Sequence, residues 1–316
     1  MTPRSDPTPG WLRRALVLGA CAGILAGQAV EAQRSTAPDE VHHIHGLAVD
    51  RRDPDVVYVA THTGLVRLRP EKPPEWIGSH NHDLMGFTAH PTDPRLVYAS
   101  GHPDLPTYRQ QGVGNLGLLV SRDGGATWQS AALAGEADFH ALTWSPRDGG
   151  TLYGWSVAGQ TGLHRVSTGS WASARLPARG LANVLALAAS PDPGGPLLAG
   201  TKAGLLVSRD GGVTWVRVGS LPPDALLTSA AFHAKDARLV YAYVANPPGR
   251  LMRSRDGGGT WEPAGYSAGA EAAVIALAVG PDERVVLATT DADVLRSKDG
   301  GRTWQRLLAH GRPAGR

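Results

Sequence analysis

Histidines crowd the first third of this sequence. Eight of the 12 lie within residues 1–102, among them His43, His45, His62, His80, His82 and His102. Imidazole is the commonest protein ligand for Zn, Cu, Ni and non-haem Fe. A His-x-His pair on an extended segment turns both rings to one side, because side chains alternate with period two. His43 with His45, and His80 with His82, have that spacing. Asp83, Asp104 and Asp138, with Met85, stand close by to complete a shell, to orient an imidazole or to act as acid and base. The expected ligand is a divalent transition metal, Zn or Cu, with Met85 a slight argument for Cu. Taken singly, each histidine has a plainer use in bonding loop carbonyls or capping strands. The metal reading rests on the set, of which a tetrahedral site uses only about four members.

Ligands so far apart in sequence meet only if the fold brings their loops together. The octapeptide Ser-x-Asp-x-Gly-x-Thr-Trp occurs four times, at residues 121–128, 208–215, 254–261 and 297–304. Trp76 and Trp171 mark two decayed copies, giving Trp-to-Trp steps of 52, 43, 44, 46 and 43 residues. Each period holds an alternating strand such as Gly46-Leu47-Ala48-Val49, then a turn of Pro, Asp and Arg. A second strand such as Val56-Val57-Tyr58-Val59 follows, and two more flank the octapeptide. Four strands in roughly 40–50 residues is the pattern of a propeller blade. The sequence therefore predicts an all-β, six-bladed β-propeller of four-stranded antiparallel blades over residues 41–308, closed by packing of the first blade on the last rather than by a shared strand. In such a wheel, the connections entering the inner strands and those between strands two and three emerge on one face. The strand one-to-two turns and the octapeptide hairpins emerge on the other. Seven of the eight N-terminal histidines fall on the first face, and His140, beside Asp138, joins them, whereas His90 and His233 occupy opposite turns.

The octapeptides resemble the Asp-box, or BNR, repeat of sialidases, sortilin-type receptors and a photosystem II assembly factor, a resemblance that implies the propeller fold. His43-Ile44-His45-Gly46-Leu47-Ala48, Thr61-His62-Thr63-Gly64-Leu65, His82-Asp83-Leu84-Met85-Gly86-Phe87, Ser100-Gly101-His102-Pro103-Asp104 and Asn115-Leu116-Gly117-Leu118 look like signature segments of an exported bacterial Asp-box family commonly labelled glycosylhydrolase. That label implies sugar cleavage, for which Asp83, Asp104 and Asp138 are the catalytic candidates, since two carboxyl groups about 5–10 Å apart serve such chemistry. The Arg-Ile-Pro of true sialidases is absent, which argues against a sialic-acid hydrolase. The assembly-factor and receptor relatives imply a third use, a non-catalytic face that binds another exported protein.

Composition sets the remaining expectations. Forty Gly and 24 Pro oppose a mostly helical chain, and a net charge of +3 spread along the sequence opposes a nucleic-acid partner. Arg4, Arg13 and Arg14 precede an apolar run and Val30-Glu31-Ala32, the pattern of a signal peptide over residues 1–32, followed by a short linker over 33–40. Leu18-Gly19-Ala20-Cys21 is a lesser lipobox match. Cleavage after Ala32 removes the single cysteine, and thiolate chemistry with it. The expectation is a periplasmic or extracellular monomer with no transmembrane segment after cleavage, a glycan or exported protein as partner, and a disordered tail over 309–316. The insertion from Pro103 to Gly114 accounts for the 52-residue step and is long enough to lie over the mouth as a lid.

Overall fold

A computed structural model of the chain describes residue 38 and residues 40–314 apart from 223, 247, 270 and 271. The predicted signal peptide lies outside the described residues, as does most of the linker. Six antiparallel sheets follow one another along the chain, five with four strands and the last with five. Strand neighbours run in sequence order throughout, so each sheet is a meander closed on itself by tight turns. The innermost strands are Ile44–Val49, Asp83–Ala89, Ala137–Ser145, Val184–Ala189, Leu227–Phe232 and Val274–Val279. Neighbouring blades pack through apolar clusters; Ala60, Leu65, Leu84 and Phe87 share one between blades one and two. Burial of each such Leu or Phe stabilises the wheel by about 1.5–3 kcal/mol.

The octapeptides are self-contained hydrogen-bonded units. In blade two Ser121 Oγ donates to Asp123 Oδ1 at 2.7 Å, Gly125 N–H donates to Ser121 Oγ at 2.7 Å, and the Thr127 hydroxyl donates to Asp123 Oδ2 at 2.6 Å. The same bonds recur around Asp210, Asp256 and Asp299. Trp215, Trp261 and Trp304 each donate from Nε1 to the carbonyl of a box glycine. Gly124, Gly257 and Gly300 donate to Arg95, Arg238 and Glu283, which ties these hairpins to strand one-to-two turns on the face opposite the clustered histidines.

These bonds hold the box carboxyls low. Asp210 and Asp299 lie well below the usual carboxylate range, chiefly through the Thr214 and Thr303 hydroxyls. Asp256 lies at about 2, chiefly through the Thr260 backbone N–H. A depressed native value stabilises the fold fully above the ordinary carboxylate value near 4 and less as pH falls through the depressed values. The Tm difference between the parent and Asp256→Asn should therefore stay constant from pH 7 to about 4.5 and narrow steadily toward pH 2.5. A flat profile across that window would refute the assignment.

Closure of the ring uses one backbone bond and a set of side-chain ion pairs, not a shared strand. Val41 N–H donates to Gly311 O at 2.8 Å. Arg296 of blade six, 2% exposed, donates to the Asp55 carboxylate of blade one at 2.9 Å. Arg284 and Lys298 add ion pairs to the same carboxylate at 3.3 and 2.9 Å. The tail expected to be disordered is partly ordered. The chain turns at His310-Gly311, and Arg312–Pro313 pairs back on Gln305–Ala309 as a fifth strand, because Gly311 is held on both sides: its N–H donates to Ala292 O within blade six and its C=O accepts from Val41 N–H across the closure.

Candidate functional site

Each inner strand departs from regular pairing at the same place. The register shifts at His45, Met85, His140, Leu185, Thr228 and Ile275, one in every blade. A bulge leaves its extra residue outside the ladder and re-aims it, and five of the six line the mouth of the central channel. Blades one and three put histidine there. This bulge, not simple alternation, places His45. His43 precedes the strand in a left-handed backbone with φ 48°, yet its ring still comes within 5.3 Å of the His62 ring.

Blade geometry supplies the remaining groups. His62 sits at the tip of a two-residue turn that Thr61 clamps by bonding Gly64 O and the Thr63 N–H. Asp83 opens the inner strand of blade two, and His102, ending the next strand, is its direct cross-strand partner. Gly101 makes that pairing possible. Its φ is 143°, and a Cβ there would lie 1.8 Å from Asp83 O, so no other residue fits.

His45 Nε2 lies 3.3 Å from His62 Nδ1 and 3.4 Å from Asp83 Oδ1, and His62 Nδ1 lies 3.2 Å from Asp83 Oδ2. A tetrahedral ion with ligands at about 2.0–2.1 Å has ligand-to-ligand edges of about 3.3–3.4 Å, so the three side chains already stand at such spacings. Hydrogen bonding accounts for less of the arrangement, because Asp83 Oδ1 is buried and accepts no bond. Burial pushes the His45 imidazole down to about 4 against the opposing pull of Asp83, so it is neutral at pH 7 and presents a lone pair. His62 is 55% exposed and marks the solvent side.

The array continues from Asp83. His102 Nδ1 lies 3.3 Å from Asp83 Oδ2 and its Nε2 3.4 Å from Asp138 Oδ2, so one ring spans two carboxylates. Asp138 is 4% exposed and accepts from His140 Nε2 at 3.0 Å. Burial raises its carboxyl, but the His140 bond and the nearby imidazoles outweigh that, leaving it below its ordinary value. His140 was missing from the expected ligand set. Aligning His140-Ala141-Leu142 with His45-Gly46-Leu47 would have found it.

His80, His82 and Asp104 form a separate group. Their rings stack at 4.7 Å and 24°, but His82 Nδ1 accepts the Asp104 N–H at 3.2 Å. A neutral ring so bonded keeps its proton on Nε2 and has no lone pair left to give. Asp104 is likewise committed. It caps the helix Leu105–Gln111 through Thr107 N–H and accepts from Asn81 N–H. This group anchors the insertion to blade two. His90 and His233 are turn caps whose Nδ1 atoms accept the backbone N–H groups of Thr92 and Asp93, and of Lys235 and Asp236.

No helix among the described residues is long and apolar enough to cross a membrane. The profile of the family described as photosynthesis system II assembly factor YCF48 matches residues 163–312. No curated protein matches the sequence. Among solved structures, the GH74 enzyme of Niastella koreensis superposes with TM-score 0.59 at 17% identity, over 87% of this chain and 46% of that one. The GH74 xyloglucanase of Xanthomonas campestris superposes with TM-score 0.55 at 19% identity, over 87% and 46%. A Xanthomonas campestris gluconolactonase gives TM-score 0.57 at 12% identity, over 79% and 84%. The chain thus spans less than half the length of the GH74 structures, and identities this low show a common fold alone. With four intact Ser-x-Asp-x-Gly-x-Thr-Trp hairpins on six sequential sheets, the chain is a six-bladed β-propeller of the BNR, or Asp-box, type.

Proposed function

We propose that the protein is an exported propeller whose histidine-lined mouth binds one divalent transition metal through His45, His62 and Asp83, for metal handling or metal-assisted hydrolysis. The observation that carries this is the convergence of two imidazole nitrogens and a carboxylate at 3.2–3.4 Å, with one oxygen of that carboxylate, Oδ1 beside His45, buried and accepting no bond. Two nitrogens and an oxygen suit Zn or Cu(II). Three protein ligands leave a fourth position for water or substrate, on the side where His62 meets solvent. His102, Asp138 and His140 orient Asp83 from behind, as outer partners of metal ligands do. Export is supported by the signal pattern in residues 1–32.

Elemental analysis of protein purified from its native compartment, without chelator, tests the proposal. One equivalent of Zn or Cu per chain is expected, removable by chelation and restored by the ion. Metal-free protein that does not take up Zn or Cu on titration would overturn it. Glycan cleavage that survives chelation and disappears in Asp83→Asn would instead favour a metal-independent glycoside hydrolase.

A further inference from the structure

The central channel has a second mouth. Leu47, Phe87, Leu142, Leu187, Ala230 and Leu277, one per blade, border both the histidine-lined cavity and another at the opposite end. The second cavity has a volume of about 150 Å³, its lining residues are mainly aliphatic and aromatic while polar atoms make up about half of the surface they expose, and no Asp or Glu lines it. Arg51 is its one Lys or Arg.

Arg51 is not explained by the turn it occupies. The equivalent position in the other blades is Pro91, Pro146, Pro191, Ala234 and Pro281, so the turn forms without a guanidinium. Nor is the charge paired, although adjacent Asp50 offsets part of it electrostatically. Nη1 donates to Val279 O at 3.3 Å, Nε is buried without a partner, and among the described residues no carboxylate lies within ion-pair distance. Adjacent Asp50 is committed elsewhere, accepting from Arg52 N–H, Asp53 N–H and the Tyr58 hydroxyl. Arg296, also buried, has Asp55. A half-buried guanidinium without a counterion is costly.

We propose that this mouth binds a small monocarboxylate with an apolar body, its carboxylate on Arg51 and its body against the channel wall. A guanidinium fork matches a carboxylate, and one fixed charge balances one anionic charge. A volume of about 150 Å³ has room for a benzene-sized body. His233, which also lines the cavity, spends Nδ1 on backbone N–H groups and so keeps its proton on Nε2 as a further donor. The proposal is independent of the metal reading.

Calorimetric titration of the full chain with benzoate, isobutyrate, benzamide and sulfate provides the test. Saturable one-to-one binding of benzoate or isobutyrate is expected, with benzamide and sulfate at least about tenfold weaker. Arg51→Met should cut carboxylate affinity at least about tenfold and also raise the Tm of ligand-free protein, since it removes a desolvated, unpaired charge; a purely structural arginine would show the reverse. Arg51→Lys, which keeps the charge without the fork, should bind weakly. No carboxylate binding, equal binding of benzamide or sulfate, or full affinity in both Arg51 variants would overturn the proposal.

Discussion

Asp83→Asn is expected to weaken Zn or Cu(II) binding by at least about a hundredfold. Loss of an outer partner of a metal ligand costs about 10–100-fold, and Asp83 is argued to be a ligand itself. It is the anionic member of the triad and the one that touches His45, His62 and His102 together. The amide preserves volume, so the Tm of metal-free protein should move little, and circular dichroism should not move at all. His82→Gln provides the contrast. It removes an anchor of the 103–114 insertion but no lone pair that an ion could use, so it should lower Tm while leaving metal affinity within about threefold. Competition titration with a chromophoric chelator reads both. Parent-like affinity in Asp83→Asn, or an equal loss in His82→Gln, would break the assignment of the centre to blade one and the start of blade two.

The largest stability effect is expected at ring closure. Asp55→Ala strips the partner from Arg296, which is 2% exposed, and also from Arg284 and Lys298. Leaving a buried charge unpaired costs about 3–5 kcal/mol. The lower end applies because Asp55 is 31% exposed, and a domain of this size should lose roughly 5–10 °C in Tm. Arg296→Met removes the buried charge itself and leaves Asp55 partly solvated beside two cations, so its cost should be clearly smaller. Bonding by Lys298, aided by the cations of blade six, holds the Asp55 carboxyl below its ordinary value despite burial. The contribution is therefore present above about pH 4 and declines in acid. Urea unfolding of the two variants at pH 7 and pH 3.5 checks the order. A larger loss in Arg296→Met, or a difference between the variants that does not shrink at the lower pH, would refute it.

What the sequence made legible follows from range. Ser121, Asp123, Gly125 and Thr127 bond one another within a few residues, so the box is a local motif and its recurrence dictates blade number. The facing of the histidines was legible for a similar reason, because it depends only on strand direction. Registers were not. The bulges at His45 and His140 arise where neighbouring strands fail to pair, which no local pattern encodes; the rings of His43 and His45 do both approach His62, but through a left-handed residue and a bulge rather than through strand alternation. Residue type and spacing pool His80 and His82 with the other ligands, whereas the structure sets them in a group of their own with Asp104, tied by the backbone bond from Asp104 N–H to His82. Asp104 itself resembled an acid/base candidate by type, yet its oxygens serve a helix cap and a loop. Arg51 carries no signal in sequence, because its neighbour Asp50 looks like a partner and only the structure shows that carboxylate bonded to Arg52 N–H, Asp53 N–H and the Tyr58 hydroxyl instead.

The ring of Leu47, Phe87, Leu142, Leu187, Ala230 and Leu277 at mid-channel has a further consequence. A hydrated ion gains nothing from passing six hydrocarbon side chains, and a constriction of that kind sheds water. The collar thus sets the two mouths apart as chemically different surfaces, one bordered by His45 and His140 and the other by Arg51 and His233, and it opposes the passage of a hydrated ion from one to the other.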